Sequence, residues 1–284
     1  MQIQWKVPMA AVVLAASGPA LADIANGDTG NGELFLSVFD PANNVSYVRD
    51  LNVFMNDFGT ANRSTGGFTT NVDLATAPTA LRFASAADAV WGQFVAGKSN
   101  DVVGQFVYDV VALDNNGGGS ADGLRFLTTS SSALNWATTT GNQQNNASIT
   151  QFQGTNAYIN SANLTLGGDN SVGGSALFGP GSAAFMFEST SGKFDNWGTF
   201  SKFRTTGAIG SSLDFYYITR SSNTAAAEGI AVKYGNALGS GQWLLSANGD
   251  LAFTAPVPVP EPETYALMLA GIGLVGAIAR RRRA

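Results

Sequence analysis

The chain has 284 residues, 12% of them charged, a formal net charge of −5, and neither cysteine nor histidine. Lacking thiolate and imidazole, it can form no disulfide framework, thiol nucleophile, Ser-His-Asp triad, haem ligation through either group, or ordinary zinc site. Without residues 1–22 and 261–284 it keeps 10 basic and 18 acidic side chains, a net of −8. The positive charges are scattered singly from Arg49 to Lys233, which argues against a nucleic-acid surface.

The N-terminus carries one positive charge at Lys6, an apolar stretch from Val7 to Ala16, the helix-breaking pair Gly18-Pro19, and small residues at Ala20 and Ala22 ahead of Asp23. This is the layout of a secretory signal peptide over residues 1–22, cut by signal peptidase after Ala22. An exported chain without cysteine must draw its stability from core packing and sheet hydrogen bonds.

Residues 23–255 read as a single all-β ectodomain, an antiparallel β-sandwich of jelly-roll type. Apolar and aromatic residues alternate or run in short blocks at Glu33–Phe39, Ser46–Phe54, Val102–Val111, Gly123–Leu127, Ala183–Glu188, Leu213–Thr219, Ile230–Tyr234, Trp243–Leu245 and Asp250–Phe253. Such blocks bounded by Gly, Asn, Asp and Ser predict strands. Asn248-Gly249 predicts a hairpin turn between the last two, since both residue types tolerate positive φ. Ala87, Val90, Trp91 and Phe94 fall at helical spacing behind Ser85 as N-cap, which predicts one short helix laid on the sheet. The polar stretch from Thr128 through Asn146 is compatible with long loops or with edge strands.

Three candidate chemistries sit in this body. Asp114, Asn116 and Asp122 lie in a glycine-rich segment whose oxygens suit a calcium ion, although it lacks the alternation and the bidentate Glu of an EF-hand; a plain hairpin connection explains it as well. No other cofactor is expected. Asp195, Asn196 and Trp197, with Trp91, Trp136, Trp243, Tyr108, Tyr158, Tyr216 and Tyr217, could form a sugar-stacking platform, or could belong to the core. A glycoside hydrolase would need two facing carboxylates, and the body holds just Glu33, Glu188 and Glu228 besides its aspartates.

The C-terminus combines a Pro-rich linker (256–263) containing Val259, Pro260, Glu261 and Pro262 with an apolar run from Thr264 to Ala279 and the cluster Arg280, Arg281, Arg282 and Arg283. Residues 264–284 would make a short membrane helix, and the arginines would hold its end in the cytoplasm by the positive-inside rule. The prolines keep the linker extended and out of any sheet, as suits a peptide that enters another protein's active site. A plain tail anchor is the simpler alternative.

These three parts, in this order and at this end of the chain, resemble the PEP-CTERM sorting signal of Gram-negative bacteria. The resemblance covers about the last 25 residues. It implies recognition of Pro260-Glu261-Pro262 by an exosortase, a passing inner-membrane anchorage through the apolar run, and release or transfer to the cell surface or extracellular matrix. It further implies a structural or adhesive, non-enzymatic role linked to exopolysaccharide or biofilm. A carbohydrate-binding module, calcium-dependent or not, and an Asp/Glu hydrolase stand as the rival expectations.

Overall fold

The computed structural model describes residues 23–25, 31–58, 80–86, 88–114, 125–131, 158–166, 174–182, 184–185, 205–220, 229–236 and 239–255, with isolated tail positions 268, 270, 272 and 281. The strands are β1 (Glu33–Asp40), β2 (Val45–Phe54), β3 (Ala80–Phe83), β4 (Val107–Asp114), β5 (Arg125–Ser130), β6 (Ser175–Phe178), β7 (Gly207–Ala208), β8 (Leu213–Arg220), β9 (Gly229–Lys233), β10 (Gly235–Asn236), β11 (Gly239–Ser240), β12 (Gln242–Leu245) and β13 (Leu251–Thr254). Helices α1 (Ala89–Phe94), α2 (Asn100–Val103) and α3 (residues 158–166) and a 3-10 turn (Met55–Phe58) complete the described elements.

Nine strands follow one another in the order β3-β13-β12-β8-β5-β4-β1-β2-β6, while β7 pairs with β4 and β9 with β8. Every described pairing is antiparallel, including Val38 opposite Tyr108 and Phe126 opposite Ile218. The strand content agrees with the sequence pattern; among the described residues the strands form, in place of the expected two stacked sheets, one continuous sheet beside a small β10–β11 ribbon.

Its middle strands are buried on both faces. All eight residues of β1 are buried: Leu34, Leu36 and Val38 join one core cluster, and Phe35 and Phe39 the other. β4 divides the same way, Tyr108, Val110 and Ala112 against Val111 and Leu113. An antiparallel sheet usually leaves one face wet, so its strands alternate apolar and polar; covering both faces converts that pattern into nearly continuous apolar runs.

The first cluster contains Tyr47 from β2 and Phe253 from β13, strands near opposite ends of the path, so the sheet curls to enclose it. Phe58 of the 3-10 turn meets Phe215, Tyr234 and Phe253 edge-on, with ring centroids 5.1–5.7 Å apart. The second cluster is covered by α3, which buries Tyr158, Ile159, Ala162 and Leu166 and exposes Leu164. Sequence reading expected one helix. The missed α3 carries the i, i+1, i+4, i+8 apolar spacing of a helix, masked by a composition of Asn, Ser and Thr that favours other structure.

Helix α1 is where its residues predicted it, but its cap is Asp88, not Ser85. Asp88 Oδ1 accepts from the Val90 and Trp91 amides at 2.9 and 3.0 Å. Ser85 instead ties to the β12–β13 turn: its hydroxyl donates to the Asn248 carbonyl at 2.5 Å and its amide to Asp250 Oδ1 at 2.9 Å. The expected strand 102–111 begins only at Val107, because Asn100–Val103 forms α2 behind Ser99. In the expected strand 183–188, Ala184 and Phe185 are turn residues packed into the second cluster, and the rest lies outside the described residues.

The Asn248-Gly249 hairpin is present. β12 and β13 pair from Leu245 opposite Leu251 outward, with the Ser246 amide donating to the Asp250 carbonyl and the Gly249 amide to the Ser246 carbonyl. Gly249 alone in this turn takes positive φ, +91°, and a Cβ there would fall 2.1 Å from Trp91 Nε1. The position is glycine both for its dihedral and for its neighbour.

Candidate functional site

The sorting segment follows the last strand of the sheet in the chain. β13 ends at Thr254, and seven residues later the chain reaches Glu261, a reach of at most ~25 Å fully extended. Since β13 pairs on both sides, with β12 and β3, the exit point is held by the sheet. Val259, Pro260, Glu261 and Pro262 lie outside the described residues, as do Arg280, Arg282 and Arg283. Met268, Ala270, Ile272 and Arg281 are helical and exposed. Among the described residues no helix is long and apolar enough to cross a membrane.

Only some of the other sequence-derived residues lie among the described residues. Asp114 is the last residue of β4, opposite Arg125 of β5. Asn116 and Asp122 fall outside the described residues, in the β4–β5 connection, which joins two adjacent antiparallel strands as a hairpin would. Among the described residues no group of three or more acidic side chains is arranged to hold a metal ion. Asp195, Asn196, Trp197 and Trp136 are outside the described residues, as are Ala20, Ala22, Glu188 and Glu228.

The remaining aromatic candidates are core residues. Trp91, Trp243, Tyr108, Tyr158, Tyr216 and Tyr217 are all buried. The Tyr108 hydroxyl donates to the carbonyls of Ser211 and Trp243 at 2.7 and 3.0 Å, and the Trp91 indole donates to the Asn248 carbonyl at 3.1 Å. Burial leaves these six no face for a sugar, and the polar tips of Tyr108 and Trp91 are satisfied from inside, as a core uses such rings.

Sequence reading missed two polar constellations. The first is centred on Asp88, whose carboxylate caps α1 and also accepts from Tyr47 Oη at 2.6 Å and Ser175 Oγ at 2.8 Å, with Arg49 Nε at 3.9 Å. One side chain thereby joins α1, β2 and β6. Arg49 donates onward to the Ala84 carbonyl just after β3, so the two ends of the curled sheet meet here. Burial and the Asp88 charge push the Tyr47 hydroxyl far above its ordinary range, so it stays a donor.

The second is acidic. Between Glu33 and Phe35 the β1–β2 register jumps: Glu33 lies opposite Phe54 and Phe35 opposite Asp50, so Leu51–Val53 bulge against Leu34. The bulge turns on Asn52, at φ +49°, whose amide donates to Asp50 Oδ1 at 2.8 Å. It places Glu33 and Asp50 near each other, each only 2% exposed. Burial first, then the Asp50 charge, raises Glu33 to about 7, against the pull of the Ala25 amide. Burial chiefly raises Asp50 to about 6. Asp23, also raised by burial, adds its charge to both. Proximity in sequence carried no signal for this group; it exists because of the bulge and the docking of residues 23–25.

Comparison with known families gives one match: residues 258–283 fit the PEP-CTERM protein-sorting motif. The match covers the C-terminal end and leaves the β-rich body without a family assignment. No curated protein and no solved structure matches the chain. The motif is that of an exported protein processed by an exosortase, and the class assignment follows from the tail alone.

Proposed function

We propose that this is a non-enzymatic protein of the cell surface or extracellular matrix, with a structural or adhesive role beside exopolysaccharide, which reaches its place through an inner-membrane-anchored precursor. The observation that carries the reading is the sorting motif at residues 258–283, which follows within a few residues a strand paired on both sides in the sheet. A short tether holds the motif close to the folded body and close to the bilayer at once, which suits a membrane-embedded protease that must reach Pro260-Glu261-Pro262. The low charge content and the net −8 of the body limit its attraction to anionic envelope polymers, so contact with them would be through neutral hydroxyl and amide groups. Serine, threonine and asparagine supply those groups in number.

The test is the intact mass and C-terminal peptide of protein from culture medium and from membranes. A released form ending near Pro262 and lacking Arg280 to Arg283 supports the reading, and excess mass would indicate glycan. A chain found only in membranes with its full tail would make it a simply anchored envelope protein and remove the support for a matrix role.

A further inference from the structure

The first residues behind the expected leader cleavage site are not loose. Ile24 is 1% exposed and packs into the second core cluster. The side chain of Asn163, on α3, grips its backbone twice: Asn163 Oδ1 accepts from the Ile24 amide at 3.0 Å and Nδ2 donates to the Ile24 carbonyl at 2.9 Å. Ala25 is held by Glu33 in the same way, its amide donating to Oε2 at 3.1 Å and its carbonyl accepting from the Glu33 amide at 3.0 Å. Four hydrogen bonds and a buried isoleucine therefore fix the position of Asp23. The Asp23 charge acts on the buried carboxyls of Glu33 and Asp50, and Asp23 Oδ1 is itself buried without a hydrogen-bond partner.

We propose that Glu33 and Asp50 form an internal receptor for the α-ammonium group that removal of residues 1–22 creates on Asp23, so that the body reaches full stability only once the leader is gone. The inference rests on the exported-protein reading and on cleavage after Ala22. Hydrolysis of the Ala22–Asp23 amide adds the hydroxyl of water to the Ala22 carbonyl and leaves the Asp23 nitrogen as an amine, which takes up a proton at neutral pH. A cation then arises next to two carboxyls that have too few partners to ionise easily, and burial makes their attraction stronger than at a surface. The raised titration of Glu33 and Asp50 in the uncut chain is what a receptor lacking its cation would show.

The charged and titratable groups that interact with Asp23 are Glu33 on β1 and Asp50 on β2, the latter beside Arg49. α3 brings only Tyr158, whose hydroxyl is hydrogen-bonded to Ser37. An ammonium held this way has its pKa raised above the ordinary ~7.7–8.0, and its stabilisation is present below that range and lost as pH rises through the raised value.

The experiment uses the protein recovered from culture medium. Intact mass gives its first residue, and limited reaction with an amine-acylating reagent gives the rate at the α-amine, native and in urea. The expected result is a start at Asp23 and an amine that reacts about tenfold more slowly in the native protein, the effect of ~1.4 kcal/mol of protection. Insertion of two glycines between Ala22 and Asp23, or Glu33→Gln, is expected to abolish the protection. A start at another residue overturns the leader assignment and the proposal together. A start at Asp23 with an amine equally reactive in native and unfolded protein overturns the proposal and leaves the exported reading intact. Should Glu33→Gln fail to fold, the glycine-extended chain decides: protection as strong as in the parent overturns the receptor.

Discussion

Replacement of Asp88 tests whether one carboxylate closes the curled sheet. In Asp88→Ala the cap of α1 disappears, which costs about 1 kcal/mol. The same change strands the Tyr47 hydroxyl, whose residue is only 1% exposed, and removes the acceptor of Ser175 Oγ. A buried donor left without a partner costs about 1–3 kcal/mol, so cap and Tyr47 together come to roughly 2–4 kcal/mol. Arg49 adds little, because its 3.9 Å approach is partly solvated. Asp88→Asn keeps Oδ1 for the Val90 and Trp91 amides but exchanges the acceptor of the Tyr47 hydroxyl for a donor, and should lose about 1 kcal/mol less than the alanine variant, the worth of the retained cap. Urea unfolding of the released protein, followed by tryptophan fluorescence through buried Trp91 and Trp243, measures both. Since a domain's whole stability is about 5–15 kcal/mol, the alanine variant should shift the midpoint visibly. In a double-mutant cycle Asp88→Ala and Tyr47→Phe should be coupled by about 1 kcal/mol or more. Equal losses in the alanine and asparagine variants, or additive losses in the cycle, would refute the idea that Asp88 joins the helix to the sheet edges.

Gly249→Ala should destabilise by roughly 3 kcal/mol, from the positive φ and the collision with the Trp91 indole, and an unchanged unfolding midpoint would contradict that geometry. In the chain extended by two glycines ahead of Asp23, Glu33 is expected to stay raised, as it is at about 7 with the leader in place. A carboxyl raised from about 4.5 in this way favours its protonated form in the folded state. The contribution of this group is therefore complete below pH ~4.5 and falls by roughly 3 kcal/mol as pH rises from there through 7. Glu33→Gln should flatten that fall, and thermal midpoints across pH 4–8 that do not differ between the two would discard the assignment. Alanine at Pro260, Glu261 and Pro262 together should leave the protein uncut and membrane-retained; normal release of that variant, read by fractionation and mass, would remove the sorting role of the tripeptide.

The features legible in the sequence are those with local causes. The sorting motif is linear, so residues 258–283 announce it without any fold. Strands β1, β2, β8, β12 and β13 follow from runs of aromatic and β-branched residues, and the hairpin at Asn248-Gly249 from one residue that accepts positive φ. Even α1 could be placed from Val90, Trp91 and Phe94, although its cap fell to Asp88 because Ser85 was drawn away by Asn248 and Asp250, more than 160 residues along the chain.

What only the tertiary structure decided are the relations between distant segments. A sheet face covered by a helix and one covered by a second sheet write the same apolar positions, since a strand's pattern records how many of its faces are covered and not by what. The covering of the second face by α3, the meeting of the sheet ends at Asp88, and the burial of the aromatic rings that could have been a sugar platform all follow from that choice. The pair Glu33 and Asp50 shows it most plainly. Two acidic residues 17 positions apart say nothing by themselves, and a three-residue bulge in β2 with the docking of Ile24 turns them into buried carboxyls facing the start of the body. Sequence determines which groups are present and their local geometry; the energy of a charge depends on what surrounds it, and surroundings belong to the fold.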